Sequence, residues 1–421
     1  MAFAPYQEVE RCRICGNQQL DSVLNLGVQQ LTGVFPKTRD QHVSAGPLEL
    51  VKCREDGTTA SCGLLQLRHS FNADEMYRGS YGYRSGLNEM MVQHLQSIVG
   101  RICKYVTLGN RDVVLDIGSN DATLLKAYPR KQLALLGIDP SAENFREFYT
   151  DEIALVTDYF SAGVFHSVMG SRKAKVVTSI AMFYDLPAPL EFMREIKEIL
   201  ADDGVWVFEQ SYMPLMLTQD AYDTVCHEHV EYYGLRQVQW MVQRAGLKIL
   251  DVELNDVNGG SFCVTVTHAD APATTDGDCP ALLARERDTG LDGLAPYADF
   301  RGRVFRHRDE LRLRINGIRQ SGKSLLGYGA STKGNVILQF CGLSEREIPA
   351  IADRNPAKFG SFTPGTLIPI ISEDDARARR PDYFLALPWH FREGFLRREK
   401  EFLRRGGQFL FPLPTIVSIG A

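Results

Sequence analysis

The run Thr224-Val225-Cys226-His227-Glu228-His229-Val230-Glu231-Tyr232-Tyr233 gathers imidazole, carboxyl, thiol and phenol groups into ten positions. Such a set serves metal ligation, proton transfer at a reaction centre, or the polar end of a helix. His227 and His229 are two apart, so a helix would turn them to different faces and a strand to the same face. The helical metalloprotease signature H-E-x-x-H is absent. Glu231, Tyr232 and Tyr233 are read as packing residues or a solvated face.

A second chemistry lies in the cysteines. Cys12-x-x-Cys15 followed by Gly16 is half of a zinc knuckle, because its turn aims two thiolates at one tetrahedral ion. Cys53 and Cys62 supply the other half; Asp56 and His69 are alternative fourth ligands. Four protein ligands close the coordination sphere, so the ion would be structural and would hold a lobe with little core of its own. Nine cysteines without a signal peptide argue for thiols and metal rather than a disulfide framework.

The third signal is Val113-Val114-Leu115-Asp116-Ile117-Gly118-Ser119-Asn120-Asp121, an apolar strand running through a glycine turn into a helix. Open sheets bind ligands at the carboxyl ends of their strands, and glycine there admits a bulky ligand to the backbone. Asp139 ends the next strand, where a carboxylate can accept from both ribose hydroxyls. No G-x-G-x-x-G follows the first strand, and one glycine among acidic and polar residues suits a cationic sulfonium better than a pyrophosphate. Asp116, Gly118, Ser119, Asn120, Asp121 and Asp139 are therefore the candidate cofactor-binding residues. A similar turn recurs at Gly327-Tyr328-Gly329-Ala330-Ser331-Thr332-Lys333-Gly334. Its backbone donors and Lys333, at a helix N-terminus, suit a diphosphate, with Ser331, Thr332 and Asn335 beside it. The competing reading is a degenerate half used for packing. Asp353, closing the strand after that, either binds a ribose or caps its turn.

The elements that must position these groups alternate. An amphipathic helix is predicted over 89–106, then strands at 113–118, 133–140, 153–157, 174–181 and 204–211 with helices between, a doubly wound parallel sheet. A further strand is expected at "FCVTVTHADAP", then a linker at 269–280 and a charged helix over 296–320. A second alternation of strands and helices begins near 324. The chain of 421 residues accommodates two or three domains, and its 24% charged residues and net charge of −5 exclude the basic excess of nucleic-acid binders. No apolar run approaches the ~18 residues of a membrane span and the N-terminus has no signal-peptide pattern, so the chain is read as cytoplasmic, with no membrane partner.

The turn at 116–121 resembles the first motif of class I S-adenosylmethionine-dependent methyltransferases. "YGYRSGLN" (81–88), "DIGSND" (116–121), "EQSYMPLM" (209–216), "CHEHVEYY" (226–233), "NGGS" (258–261) and "GYGASTKGN" (327–335) follow a paired-cysteine lobe in this order. Over essentially the whole chain this is similar to the zinc-containing C-methyltransferases that act on nucleotide-linked keto-deoxysugars. The resemblance implies an α/β fold: a small zinc lobe (1–75), a doubly wound Rossmann-like methyltransferase sheet (76–268) and a second α/β domain (269–421) that helps bind the nucleotide-sugar. It implies S-adenosylmethionine and structural zinc, carbon 3 of a nucleotide-linked 4-keto-2,6-dideoxyhexose as acceptor, and a monomer or weak homo-oligomer. By the same resemblance His229 is the base that makes the carbon nucleophile, Glu228 assists with His227 near, and Tyr81, or Tyr83 in its place, donates to the keto oxygen. Asp158 matches an adenine contact. Ala122 stands where the family often has glycine and is expected to narrow the pocket slightly. Tyr184 and Cys226 replace a His and a Tyr of some relatives and are read as lining a pocket for a different sugar. The rivals are an O- or N-methyltransferase on the same scaffold, an NAD(P)-dependent sugar oxidoreductase using the C-terminal turn, and a non-catalytic zinc adaptor.

Overall fold

The computed structural model describes residues 6–55, 57, 60–77, 83–129, 132–272 and 278–420. Near the N-terminus β1 (Tyr6–Glu8) precedes the knuckle turn, and β2 (Leu20–Gln30), β3 (Ala45–Cys53), β4 (Leu65–Leu67) and β5 (His69–Phe71) follow it. β1 pairs with β5; β2, β3 and β4 form an antiparallel sheet. The fourth strand of that sheet comes from far along the chain: β11 (Glu231–Tyr232), inside the His-rich run, pairs with β4.

The central sheet contains β6 (Val113–Ile117), β7 (Ala134–Ile138), β8 (Ile153–Val156), β9 (Ala174–Ile180), β10 (Leu200–Ser211), β12 (Leu247–Asn255) and β13 (Ser261–His268). Its order is β12-β13-β10-β9-β6-β7-β8, with β13 antiparallel to both of its neighbours. β6 is buried along its whole length, as a strand covered on both faces by helices must be. The chain winds outward from β6 through β7 and β8, then crosses to β9 and β10, leaving a crevice at the carboxyl ends of β6 and β9. The helix Glu89–Tyr105, capped by the Asn88 side chain, lays Met91, Leu95, Ile98, Val99 and Ile102 against this sheet at three- and four-residue spacing. The strand at 247–255 is an element that the sequence reading did not include.

After the 26-residue helix Ala295–Gln320 comes a six-stranded sheet. Its strands are β14 (Leu325–Tyr328), β15 (Ile351–Asp353), β16 (Ile370–Ser372), β17 (Tyr383–Ala386), β18 (Gln408–Phe411) and β19 (Val417–Ile419). The order β16-β15-β14-β17-β18-β19 repeats the winding of the central sheet, with the switch between β14 and β17. One apolar core joins Leu24, Leu48, Leu50 and Leu65 of the small lobe to Tyr297, Val304, Val336 and Ile337 of the C-terminal half. Among the described residues no helix is long and apolar enough to cross a membrane.

Candidate active site at the seam of two sheets

The knuckle turn, the end of β3 and the approach to β4 bring Cys12, Cys15, Cys53 and Cys62 together, their sulfurs within 4.8 Å of one another. Cys12 and Cys62 Sγ are 3.4 Å apart, Cys15 and Cys53 Sγ 3.5 Å. Zinc at about 2.3 Å from each sulfur of a tetrahedron sets S···S near 3.8 Å, so the four residues fit the ion. Asn17 Nδ2 donates to Cys53 Sγ at 3.4 Å, supporting thiolate character there. His69 is not in the cluster; its ring packs edge-on against Tyr6. Asp56 lies outside the described residues.

At the β6–β9 crevice, Gly118 (φ 73°), Asn120 (φ 51°) and Ala122 (φ 60°) alternate left-handed backbone through one tight turn. Asp116 Oδ1 accepts from Thr178 Oγ1 at 2.6 Å, and burial raises its pKa to about 7. Asp139 Oδ2 accepts from the Asn120 amide and Oδ1 from the Ser141 amide, both at 2.7 Å. Oδ1 also accepts from Ser141 Oγ at 2.7 Å, which leaves Oδ2 with a lone pair for a ribose hydroxyl, so the site fits a nucleoside. Ser119 Oγ lies 2.7 Å from the Tyr149 hydroxyl. The side chains of Asn120 and Asp121 turn to the segment before the long helix. Asn120 Oδ1 accepts from Ser85 N at 3.0 Å and Asp121 Oδ2 from Gly86 N at 3.0 Å, and Arg84 forms an ion pair with Asp121, Nε to Oδ2 3.3 Å. They therefore hold that segment over the turn. Asp158 is exposed and caps Tyr159 N. The Ala122 methyl is fully buried in the apolar cluster with Leu95, Ile98 and Val114, which corrects the expectation that it narrows the pocket.

The His-rich run lies where the three parts meet. It is a turn leading into β11. His227 is fully buried edge-on against Phe71 of the small lobe, 4.5 Å between ring centroids, and neither ring nitrogen has a partner among the described residues. Burial depresses its pKa to about 3. His229 faces the other way, 4.2 Å from the Tyr184 ring, into a small cavity also lined by Ser211, Met213, Met216, Thr224, Glu231 and Tyr232. Its Nδ1 is 2.8 Å from the Thr224 carbonyl. A carbonyl only accepts, so Nδ1 carries the proton and Nε2 the free lone pair. Burial first, and the Lys333 charge second, hold this imidazole neutral, its pKa down to about 3. Glu228 is turned to the lobe: its carboxylate accepts from Thr32 Oγ1 at 3.2 Å, and burial raises its pKa. Cys226 is fully buried.

From the second switch point, Lys333 Nζ donates to the carbonyl of Asn258 at 2.9 Å. Its charge also acts on His229, His390 and Asp223, so the ammonium belongs to this seam. Ser331 caps the helix Thr332–Phe340 through Gly334 N, while Asn335 is fully buried and donates to the Thr32 carbonyl. Tyr83 is 44% exposed and Tyr81 lies outside the described residues.

Sequence reasoning missed Asp223, held by Trp389 Nε1 at 2.8 Å, and His390 beside it; nothing in their local pattern distinguishes them from turn residues. It also set Glu231 aside as packing or surface. Glu231 is instead buried at the cavity, its Oε2 accepting from the Tyr233 hydroxyl at 2.7 Å, and burial raises its pKa to about 8.

A seven-stranded sheet with one antiparallel strand and an acid-lined switch point is that of an S-adenosylmethionine-dependent methyltransferase. Family models match in three consecutive blocks: a zinc binding domain over 12–77, a methyltransferase domain over 90–252 and a C-methyltransferase C-terminal domain over 256–414. The chain is 31% identical over 416 residues to C-methyltransferase NovU of Streptomyces niveus, covering 96% of each. It belongs to this family of zinc-containing S-adenosylmethionine-dependent C-methyltransferases. Similar solved structures include an S-adenosylmethionine-dependent methyltransferase from Clostridium acetobutylicum (13% identity, 42% of this chain and 92% of that one, TM-score 0.32). Another is magnesium protoporphyrin IX methyltransferase from Synechocystis with bound SAH (10% identity, 43% and 88%, TM-score 0.33).

Proposed function

We propose that the enzyme removes the proton from carbon 3, beside the carbon 4 ketone, of a nucleotide-linked 4-keto-2,6-dideoxyhexose and methylates that carbon. The observation that supports this reading is the fixed tautomer of His229, whose Nε2 lone pair is left for the cavity while Nδ1–H is held by the Thr224 carbonyl. A neutral imidazole in a desolvated pocket takes the proton, and the Thr224 carbonyl then stabilises the imidazolium. Glu228 assists from behind by anchoring the turn to Thr32. Lys333, first read as a diphosphate ligand, acts on His229 through its charge and keeps N–H bonds for the oxygen on which enolate charge develops. Bound at Asp116, Gly118, Ser119 and Asp139, S-adenosylmethionine supplies an electrophilic methyl group. The backbone turn at 329–332 suits the nucleotide, and Tyr83 or Tyr81 the keto oxygen.

The test is an assay of the zinc-loaded enzyme with isotopically labelled methyl donor and a panel of keto sugar nucleotides. The expected product carries the label on a carbon that has lost its hydrogen. Label recovered on oxygen or nitrogen would replace this reading with the O- or N-methyltransferase alternative.

A further inference from the structure

Arg13 sits between two of the zinc-binding cysteines, yet its side chain leaves the knuckle. Its Nη1 donates to the Leu67 carbonyl at 2.5 Å and reaches the Val230 carbonyl at 3.5 Å. Nη2 donates to Ser70 Oγ at 2.8 Å and lies 3.4 Å from the His69 carbonyl. The guanidinium also attracts the buried carboxyl of Glu231. Around it the contacts repeat. Arg13 N donates to Gln66 Oε1 at 2.9 Å, Leu67 N to the Val230 carbonyl at 2.9 Å, and Gln66 pairs with Glu231 across β4 and β11. Gln237 Nε2, just past the run, donates to the Cys62 carbonyl at 3.1 Å. The segment bearing His229 is thus the edge strand of the zinc lobe's own sheet, and a planar five-donor fork holds it to the knuckle more rigidly than a single point charge would.

We infer that Arg13 is a positioning residue: the zinc knuckle, remote from the reacting atoms, sets the place of the His229 imidazole through the Arg13 guanidinium and the β4–β11 pairing. This rests on His229 as the base, but its structural half stands apart from that assignment. A 1 Å displacement of a base lowers turnover on the order of 100-fold without touching cofactor affinity.

The experiment compares zinc-loaded wild type, Arg13→Met and Arg13→Lys by zinc content, calorimetry with S-adenosylhomocysteine, amide hydrogen exchange and turnover. Arg13→Met is expected to keep its zinc and its S-adenosylhomocysteine affinity, to lose exchange protection selectively at 230–232, and to lose turnover through kcat. Arg13→Lys recovers part of both. Wild-type exchange and turnover in Arg13→Met overturn the inference, as does loss of zinc from that variant, which would make Arg13 a support of the metal site alone. Loosened exchange with unimpaired turnover overturns the catalytic half. If His229→Ala itself retained turnover, the base assignment would fall while the exchange result still stood.

Discussion

The two switch-point turns are built on one device and carry opposite charge. In the central sheet, Asp139 at the end of β7 takes the Asn120 amide on one oxygen and the Ser141 amide on the other. In the C-terminal sheet, Asp353 at the end of β15 takes the Ala330 amide at 2.8 Å and the Asn355 amide at 2.7 Å in the same way. Even the turn carbonyl is held alike, Asn120 O by the Tyr149 hydroxyl at 2.9 Å and Ala330 O by Lys358 Nζ at 2.8 Å. What differs is the company. Asp116 and Asp121 accompany the first turn, while Lys333 and Lys358 accompany the second. The backbone device therefore shapes a crevice, and on the function proposed above the charge placed beside it selects the ligand: a cation at one, an anion or developing oxyanion at the other.

Replacing the carboxylates one at a time breaks that parallel most sharply. Asp139→Ala removes three charge-assisted hydrogen bonds and the ribose acceptor, so calorimetry should find S-adenosylhomocysteine bound roughly 100-fold more weakly. Asp353→Ala should leave that affinity at the wild-type value; equal losses in both would erase the distinction. Lys333→Met is expected to lower turnover on the order of 100-fold with S-adenosylhomocysteine binding intact, and a loss confined to sugar-nucleotide KM would return Lys333 to the phosphates. Gly86→Ala puts a methyl 2.5 Å from Asp121 Oδ2, prising the 84–86 segment from the first turn alone. Thermal denaturation should register about 1–3 kcal/mol of lost stability.

The last effect is read as a pH dependence and lies at the seam between the turns. Glu231 has its pKa raised by burial from 4.5 to about 8, so between those values the native state holds a proton that the unfolded chain has released. Its contribution is fully present below the lower value and declines as pH rises to about 8, by at most ~1.4 kcal/mol per pH unit. Glu231→Gln should flatten the fall of Tm over this window; an unchanged slope would mean that Glu231 is ionised in the folded protein.

Much of this was legible in the sequence, for reasons that are local. The strands around 113–118 and 174–181 declare themselves because burial on both faces makes their residues predominantly apolar, with Asp116 and Thr178 among the polar exceptions. The four cysteines are legible because zinc dictates their geometry. What could not be read depends on distant pairing. Two residues of β11 carry no strand signal of their own, yet their ladder with β4 turns His227 inward and His229 outward. Lys333 reads as a phosphate ligand from its place after a glycine turn, and only the approach of the 257–259 turn brings the Asn258 carbonyl to it. Asn120 and Asp121 look like ligand residues because their partners at 84–86 are some 35 positions away.

The central claim is that His229 takes a proton from carbon before methyl transfer. Wild-type enzyme with zinc, S-adenosylhomocysteine and a 4-keto-2,6-dideoxyhexose nucleotide in deuterated water should exchange hydrogen for deuterium at carbon 3, a step that needs the base but no methyl group. His229→Ala should slow that exchange by about 100- to 10,000-fold while retaining S-adenosylhomocysteine affinity. Exchange at the wild-type rate in His229→Ala would contradict the account.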